Sequence, residues 1–192
     1  MSEPLDPGLA RRIRLVGLDV DGVLTDGGVY VGHAGDQPIE LKRFQIQDGL
    51  GLRLLAAAGI RLVLVSGRPS EATTVRAREL HVHEVIQDEG ARKLPAFTGV
   101  LERQGIAWAD CCFVGDDLPD LPLLRRVGLP VAVANAVPEV RDAARFITSR
   151  PGGSGAVREV AETILRARDA WDGLLADYLR QRGEADAAVR SG

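Results

Sequence analysis

The chain has 192 residues, 45% of them apolar and 27% charged, with a net charge of −3. That is an ordinary globular mix, long enough for one domain with a sizeable core. Lys and Arg are scattered rather than clustered and no segment could span a bilayer, so neither nucleic acid nor membrane is expected as a partner.

No apolar stretch of leader length opens the chain. Cys111 and Cys112 are adjacent, with no second pair to make a disulfide framework, so they are expected as reduced core residues in a cytoplasmic protein.

The apolar run Ile13 to Leu18 predicts a buried strand at Arg14–Leu18, which ends in Asp19-Val20-Asp21-Gly22-Val23-Leu24-Thr25. Gly27 to Phe44 reads as a β-hairpin with a turn around His33–Asp36. The partly alternating return strand Ile39–Phe44 should pack one face and wet the other. Helix Leu50–Ala58 follows, then strand Arg61–Ser66 running into Gly67-Arg68, then helix Ser70–Leu80. Strand Glu84–Gln87 precedes helix Ala91–Gln104, with Lys93 near its start. Strand Cys111–Val114 runs into Gly115-Asp116-Asp117-Leu118-Pro119-Asp120. Helix Leu118–Arg126, strand Val131–Ala134, helix Pro138–Ala144 and strand Phe146–Thr148 complete the alternation. From Ala156 to about Arg182 a single helix is expected. Its stripe of Ile164, Ala167, Trp171, Leu174, Leu175 and Tyr178 should pack on the sheet or meet a second subunit.

Near-continuous apolar strands alternating with helices imply an α/β fold, a Rossmann-like parallel sheet flanked by helices with a projecting hairpin. In such sheets ligands bind at the carboxyl ends of the strands. Asp19 and Asp21, Ser66-Gly67-Arg68, Lys93 and Asp116-Asp117-Asp120 all fall at those ends. What converges fits phosphoryl transfer. Asp19, Asp116 and a backbone carbonyl near Asp21 are hard oxygen donors that suit Mg²⁺. Asp19 is the candidate nucleophile and Asp21 the candidate acid and base. Ser66, the Gly67 amide and the Lys93 ammonium are candidate phosphate ligands. Asp117 and Asp120 would orient metal-bound water, and Asp120 would also help position Lys93. Each piece has a plainer reading: a turn at Ser66, a solvated lysine at 93, a helix cap at Asp117. His33, His81 and His83 form no ligand set.

The 44 residues at positions 22–65 and the 21 at 94–114 are taken up by the hairpin and helices. Neither gap holds an inserted cap domain, since independent domains rarely fall below about 40 residues. One domain is therefore expected over 1–182, its hairpin at about 27–45, followed by a disordered tail at 183–192.

The opening Asp-x-Asp-Gly-x-x-Thr segment resembles that of the haloacid dehalogenase-type phosphohydrolases. More particularly, the chain from about Arg14 to Arg168 is similar to the capless 3-deoxy-D-manno-octulosonate 8-phosphate phosphatases. The likeness rests on Asp19–Gly27, Leu41-Lys42-Arg43-Phe44, Asp48-Gly49-Leu50-Gly51, Ser66–Ser70, Arg76, Lys93, Gly115–Asp120 and Gly152-Gly153-Ser154-Gly155-Ala156-Val157-Arg158-Glu159. The resemblance implies Mg²⁺-dependent hydrolysis of a small sugar-acid phosphate through an aspartyl-phosphate, in lipopolysaccharide inner-core synthesis. It implies a homotetramer whose hairpins assemble and whose neighbouring hairpin and tail complete each site. It places Arg68 and Arg76 near the sugar acid, although an ion pair on its own helix suits Arg76 equally. One departure stands out: the approach to Lys93 through Asp88–Arg92 is a residue longer than usual, so Arg92 competes with Lys93 for the phosphate. A nine-carbon sugar-acid phosphate remains an alternative substrate. A phospho-Asp receiver without enzymatic activity remains an alternative function. Deletion from Gly152 onward is expected to harm catalysis more than folding.

Overall fold

The computed structural model describes residues 5–183. Helix α1 (Pro7–Arg12) leads into strand β1 (Leu15–Leu18), every residue of which is buried. A wide turn at Val20–Leu24 follows, closed by the Thr25 amide donating to the Val20 carbonyl at 3.0 Å. Strands β2 (Tyr30–Ala34) and β3 (Gln37–Leu41) form a separate antiparallel hairpin. Then come α2 (Ile46–Ala57), β4 (Arg61–Ser66), α3 (Glu71–Glu79), β5 (Glu84–Gln87), α4 (Lys93–Gln104) and β6 (Cys111–Gly115). A short 3₁₀ turn (Leu118–Asp120), α5 (Leu121–Leu124), β7 (Leu129–Ala132), α6 (Pro138–Ala143), β8 (Phe146–Ile147), α7 (Ala156–Ala167) and α8 (Trp171–Gln181) complete the order.

The main sheet runs β5-β4-β1-β6-β7-β8, all parallel. Strand β1 is central, and the chain order reverses on either side of it. Parallel strands open a crevice there at their carboxyl ends. Helices α2 and α7 pack together on one face with α1, α3 and α8 beside them, while α4, α5 and α6 line the other. Gly17 in β1 leaves room for aromatic packing: a Cβ there would lie 2.7 Å from the Phe113 ring and 2.8 Å from that of Phe97. Those two rings meet edge to face at 5.7 Å, a favoured aromatic arrangement. Cys111 and Cys112 are free and buried, and burial pushes the Cys111 thiol up to about 12 and that of Cys112 up as well. Both behave as small core hydrophobes. No inserted domain interrupts the described residues, and no helix among them is long and apolar enough to cross a membrane.

Several elements differ from their sequence expectations. Helix α2 begins at Ile46 rather than Leu50, taking Asp48 and Gly49 into its first turn. The helix predicted at 118–126 is split between a 3₁₀ turn and the four-residue α5, where Pro119 and Pro122 each occupy a first-turn position. Strand β7 lies two residues earlier than expected, with Pro130 inside it. The long C-terminal helix is two helices. Asp169 adopts φ +57°, the Asp169 amide bonds the Arg166 carbonyl, and the Ala170 amide bonds that of Leu165, so the chain turns in a Schellman-type stop. The apolar stripe divides accordingly: Ile164 and Trp171 are buried, while Leu175 is exposed. Neither face of the hairpin is fully covered: its residues are exposed except for the half-buried Gly32 and Glu40, the latter bonded to Arg68 and Ser70. The expected disordered tail falls, except for Gly183, outside the described residues.

The Gly152–Gly155 segment is no free linker. The Gly153 amide donates to the Val23 carbonyl at 3.0 Å, and the Gly152 amide donates to Asn135 Oδ1 at 2.8 Å. Behind it, α7 buries Val157, Val160, Ile164 and Leu165. Such side chains contribute about 1.5–3 kcal/mol each, so four rival a whole domain's stability of about 5–15 kcal/mol. Deletion from Gly152 onward should therefore abolish folding, against the sequence expectation. A cooperative melt of the truncated chain near that of the full one, followed by circular dichroism, would show α7 to be dispensable.

Candidate active site

The carboxyl ends of β1, β4 and β6 surround a pocket of about 230 Å³. It is lined by Asp19, Asp21, Gly67, Arg68, Ala91, Lys93, Asp116, Asp117, Pro119 and Asp120. Asp19 leaves β1 with its amide bonded to the Val114 carbonyl of β6 at 3.0 Å. The turn beyond it is stapled by Thr25, which is fully buried. Its hydroxyl donates to the Val20 carbonyl at 3.2 Å and accepts from the Gly22 and Gly27 amides. Gly22 has φ +93°, and a Cβ there would lie 2.0 Å from Asp116 Oδ2. Only glycine gives that turn and lets the β6 loop approach so closely.

Lys93 stands at the start of α4 and is 4% exposed. Its Nζ lies 2.7 Å from Asp19 Oδ1 and 2.7 Å from Asp120 Oδ1. The other Asp120 oxygen accepts the Asp116 amide at 3.0 Å. Both Asp120 oxygens are therefore engaged within the protein, and the residue acts as a strut between Lys93 and the β6 loop. Asp117 caps the 3₁₀ turn, its Oδ1 accepting the Leu118 amide at 2.8 Å. Arg92 points outward, 77% exposed, toward Asp88. The longer approach to Lys93 is absorbed by a turn in which Ala91 takes φ +50°. Of these two, Lys93 and not Arg92 lines the pocket.

Negative charge is crowded here. Burial, followed by repulsion from Asp120, raises Asp19 to about 6 against the pull of Lys93. Burial, then Asp19 and Asp120, raises Asp116 to about 8. Burial disfavours the charged form of Lys93, but attraction to Asp120 and Asp19 outweighs it and the amine is held above its ordinary value. One oxygen each from Asp19, Asp116 and Asp120 falls within 4.8 Å of the others, and Asp116 Oδ1 is buried without a hydrogen-bond partner. A hard divalent cation fits this donor set. Asp116 has the free oxygen to offer, while Asp120 does not.

The remaining sequence candidates are more dispersed. The Ser66 hydroxyl is folded back on its own turn, donating to the Arg68 carbonyl at 2.9 Å and accepting the Arg68 amide at 3.1 Å. Gly67 and Arg68 line the pocket, and Arg68 Nη2 bonds Glu40 of β3 at 2.6 Å. Arg76 lies elsewhere, in a larger groove of about 790 Å³ between β3 and α3, with Ile39, Leu41, Phe44 and Val75. It pairs with Glu79 at 2.7 Å, and its Nε is buried without a partner.

Two residues with no role assigned from sequence reach the site. Lys42, just after β3, has a side chain only 2% exposed, and its Nζ lies 2.7 and 2.9 Å from the two oxygens of Asp21. Glu40 links Arg68 to Ser70, whose hydroxyl donates to it at 3.0 Å. A lysine in a polar stretch after a hairpin carries no sequence signal of burial. Asp48, singled out only by resemblance, is buried in α2 and accepts the Arg158 amide at 2.7 Å. It caps α7 from a neighbouring helix, since α7 has no side-chain cap of its own.

Residues 79–159 match the haloacid dehalogenase-like hydrolase model. The chain is 41% identical over 163 residues to the 3-deoxy-D-manno-octulosonate 8-phosphate phosphatase of Escherichia coli K12, covering 85% of each chain. Among solved structures it resembles the Moraxella catarrhalis phosphatase of that name, in complex with magnesium ion, phosphate ion and the sugar acid KDO. The TM-score is 0.84 at 39% identity, over 90% of this chain and 97% of that one. It also resembles the cobalt-bound Haemophilus influenzae deoxy-D-mannose-octulosonate 8-phosphate phosphatase, with a TM-score of 0.77 at 33% identity, over 84% and 92% of the two chains.

Raised carboxyl groups set a stability profile for the metal-free protein. The folded state keeps protons on Asp19 and Asp116 up to about 6 and 8, whereas the unfolded chain releases them near 3.8. Their contribution is therefore fully present below pH 4 and lost as pH rises through the folded values. In chelator, the melting temperature should fall between pH 5 and pH 8, Mg²⁺ should reverse the fall, and Asp116→Asn should remove most of both effects. A profile indifferent to Asp116→Asn would count against the charge crowding described here.

Proposed function

The chain belongs to the 3-deoxy-D-manno-octulosonate 8-phosphate phosphatases, a family of haloacid dehalogenase-like hydrolases, and on that footing we propose that it hydrolyses 3-deoxy-D-manno-octulosonate 8-phosphate to the free sugar acid and phosphate. The observation that carries the reading is the Lys93 ammonium held 2.7 Å from both Asp19 and Asp120 beside the unpartnered Asp116 oxygen. That is a nucleophile, a phosphate ligand and a cation-binding carboxylate in one small pocket.

In this reading Asp19 attacks phosphorus and the bond to the ester oxygen breaks, leaving an aspartyl-phosphate. Asp21 gives its proton to the departing sugar oxygen. It then takes a proton from the water that attacks the aspartyl-phosphate, which frees phosphate and restores Asp19. Lys93 leaves part of its hold on Asp19 to meet the charge that grows on the phosphoryl oxygens. The Gly67 amide and the Ser66 hydroxyl, once turned from the Arg68 carbonyl, grip the same oxygens. Asp19, Asp116 and the Asp21 backbone carbonyl would hold Mg²⁺, which when bound offsets the repulsion between carboxylate and phosphate. Asp117 would orient water at such an ion, and Asp120 fixes Lys93. Arg68 and Arg76 serve the sugar acid, Arg76 offering its fork to the carboxylate.

We read the chain as one catalytic domain over 1–182, acting in the cytoplasm in lipopolysaccharide inner-core synthesis and assembling as a homotetramer through the hairpin. Support for assembly comes from exposure: Val29 is 57% exposed, Val31 79%, Leu41 60% and Ile46 76%. A two-stranded hairpin with both faces wet is marginal alone and gains from a partner. Val31→Asp is expected to convert the tetramer to smaller species in light scattering. An unchanged mass would move the interface elsewhere.

The test of function is phosphate release with Mg²⁺ from the octulosonate 8-phosphate and from nine-carbon sugar-acid 9-phosphates, with a chelated control. Preference for the octulosonate is expected, and preference for a nine-carbon acid would keep the mechanism and change the substrate. Asp19→Asn should lower turnover more than about 10³-fold without lowering the melting temperature, since it removes one of several crowded charges. Near-normal turnover would remove Asp19 as nucleophile.

A further inference from the structure

Lys42 is the least expected feature of the site. Long basic side chains ordinarily run their stems over apolar surface and leave the ammonium in water. Here the ammonium is buried, with the side chain 2% exposed, and it touches both oxygens of one carboxylate. Among the described residues, no other group is hydrogen-bonded to the Asp21 side chain. The Asp21 backbone is already fixed by the turn that Thr25 staples. What stays free in Asp21 is rotation about its two side-chain bonds, and Lys42 removes that freedom by bridging its oxygens.

We propose that Lys42 is the positioning residue for Asp21, holding its carboxyl group toward the pocket so that it can pass a proton to the leaving sugar oxygen. The inference rests on the reading of Asp21 as acid and base. Asp21 is 28% exposed, so water competes for its oxygens, and without a tether it would sample orientations that miss the ester oxygen. Holding a reacting group in place accounts for a large share of enzymatic rate. Lys42 itself is bonded to none of the three groups assigned to the phosphoryl group, Ser66, Gly67 and Lys93. Its own position is set by the hairpin: it directly follows Leu41, the last residue of β3, and Glu40 Oε1 lies 3.7 Å from its Nζ. Glu40 in turn bonds Arg68. The hairpin thereby carries into the site both the tether on the acid and the partner of a substrate-facing arginine.

The test compares two esters. The octulosonate 8-phosphate has an alkoxide leaving group that needs a proton. p-Nitrophenyl phosphate has a leaving group that departs as an anion without one. kcat/KM covers only steps through departure of the first product, so it isolates the acid step from hydrolysis of the aspartyl-phosphate. With Lys42→Met, kcat/KM on the sugar phosphate should fall on the order of 10–100-fold, and on p-nitrophenyl phosphate by less than about threefold. Lys42→Arg, which keeps a two-pronged cation, should restore most of the loss. Equal losses on both esters would make Lys42 a merely structural residue, and no loss on either would leave it without a role; both outcomes overturn the proposal. Asp21→Asn serves as the reference. If that variant itself fails to discriminate between the esters, the reading of Asp21 as acid fails. If it discriminates and Lys42→Met does not, only the tether fails. Should Lys42→Met lose its cooperative melt, Lys42→Gln and Lys42→Arg carry the same comparison.

Discussion

The structure depends on putting like charges next to one another out of water. Asp19 is 6% exposed and Asp120 1%, and Asp116 stands beside both. A lone buried carboxylate is costly and several together are worse, because desolvation and mutual repulsion both raise the cost of the ionised forms. The fold answers with buried cations that come from distant parts of the chain. Lys93 arrives at the start of α4 and is shared between Asp19 and Asp120, and Lys42 arrives from the hairpin and is given to Asp21. The compensation is incomplete, since Asp19 and Asp116 stay well above their ordinary values. That residual imbalance makes the pocket receptive to a divalent cation: the ion completes a charge pattern that the protein alone leaves unbalanced.

Such crowding requires a backbone with unusually close approaches. A Cβ on Gly22 would enter the Asp116 carboxylate, and one on Gly152 would lie 1.7 Å from the Gly22 carbonyl oxygen. The β1 loop is therefore clasped between the β6 loop on one side and the entry to α7 on the other. Asp48 strengthens the second contact by capping α7 from α2, and burial raises its carboxyl group against the pull of the Arg158 and Gly155 amides. Placing α7 behind the β1 loop ties the geometry of Asp19 to the main core. Removing the C-terminal segment would take away the backing of the β1 loop and a layer of the fold together.

Much of this was legible in the sequence because the signals were local. Strands β4 and β5 lie where their apolar runs lie, and Asp19, Gly67, Lys93 and Asp116 reach one pocket because each directly follows or closely trails a strand of a parallel sheet. What was not legible depended on contacts between distant segments. Helix α2 starts ahead of its expected first residue, Leu50, and Asp48 in its first turn meets the Arg158 amide of α7. The break after Ala167 is marked by Asp169 rather than by the usual glycine, so the apolar stripe runs through it without a visible stop. Glu40 looks like any polar hairpin residue, and Lys42 stands out only within the resemblance, with no role attached. Their burial and pairing follow from where the hairpin folds, which neither periodicity nor spacing encodes.

The hairpin also bears on why a pocket of about 230 Å³ can work without a lid. β3 and the segment after it contribute Glu40 to the wall of the larger groove and a Lys42 contact to Asp21, so one short element walls the wider apolar groove and touches a residue of the small charged pocket. A phosphate and the sugar it is attached to differ in just this way, one compact and anionic, the other larger and partly apolar. Arg68, held by Glu40, stands at the junction, because it lines the small pocket while its neighbours Pro69 and Ser70 line the groove. A cap domain would have to be built for this purpose alone. The hairpin instead leaves Val31 and Leu41 exposed, as an element marginal on its own does, and carries Lys42 to Asp21 from its return strand. Placing the tether on Asp21 next to the least self-sufficient element of the chain makes the chemistry depend on how that element is seated.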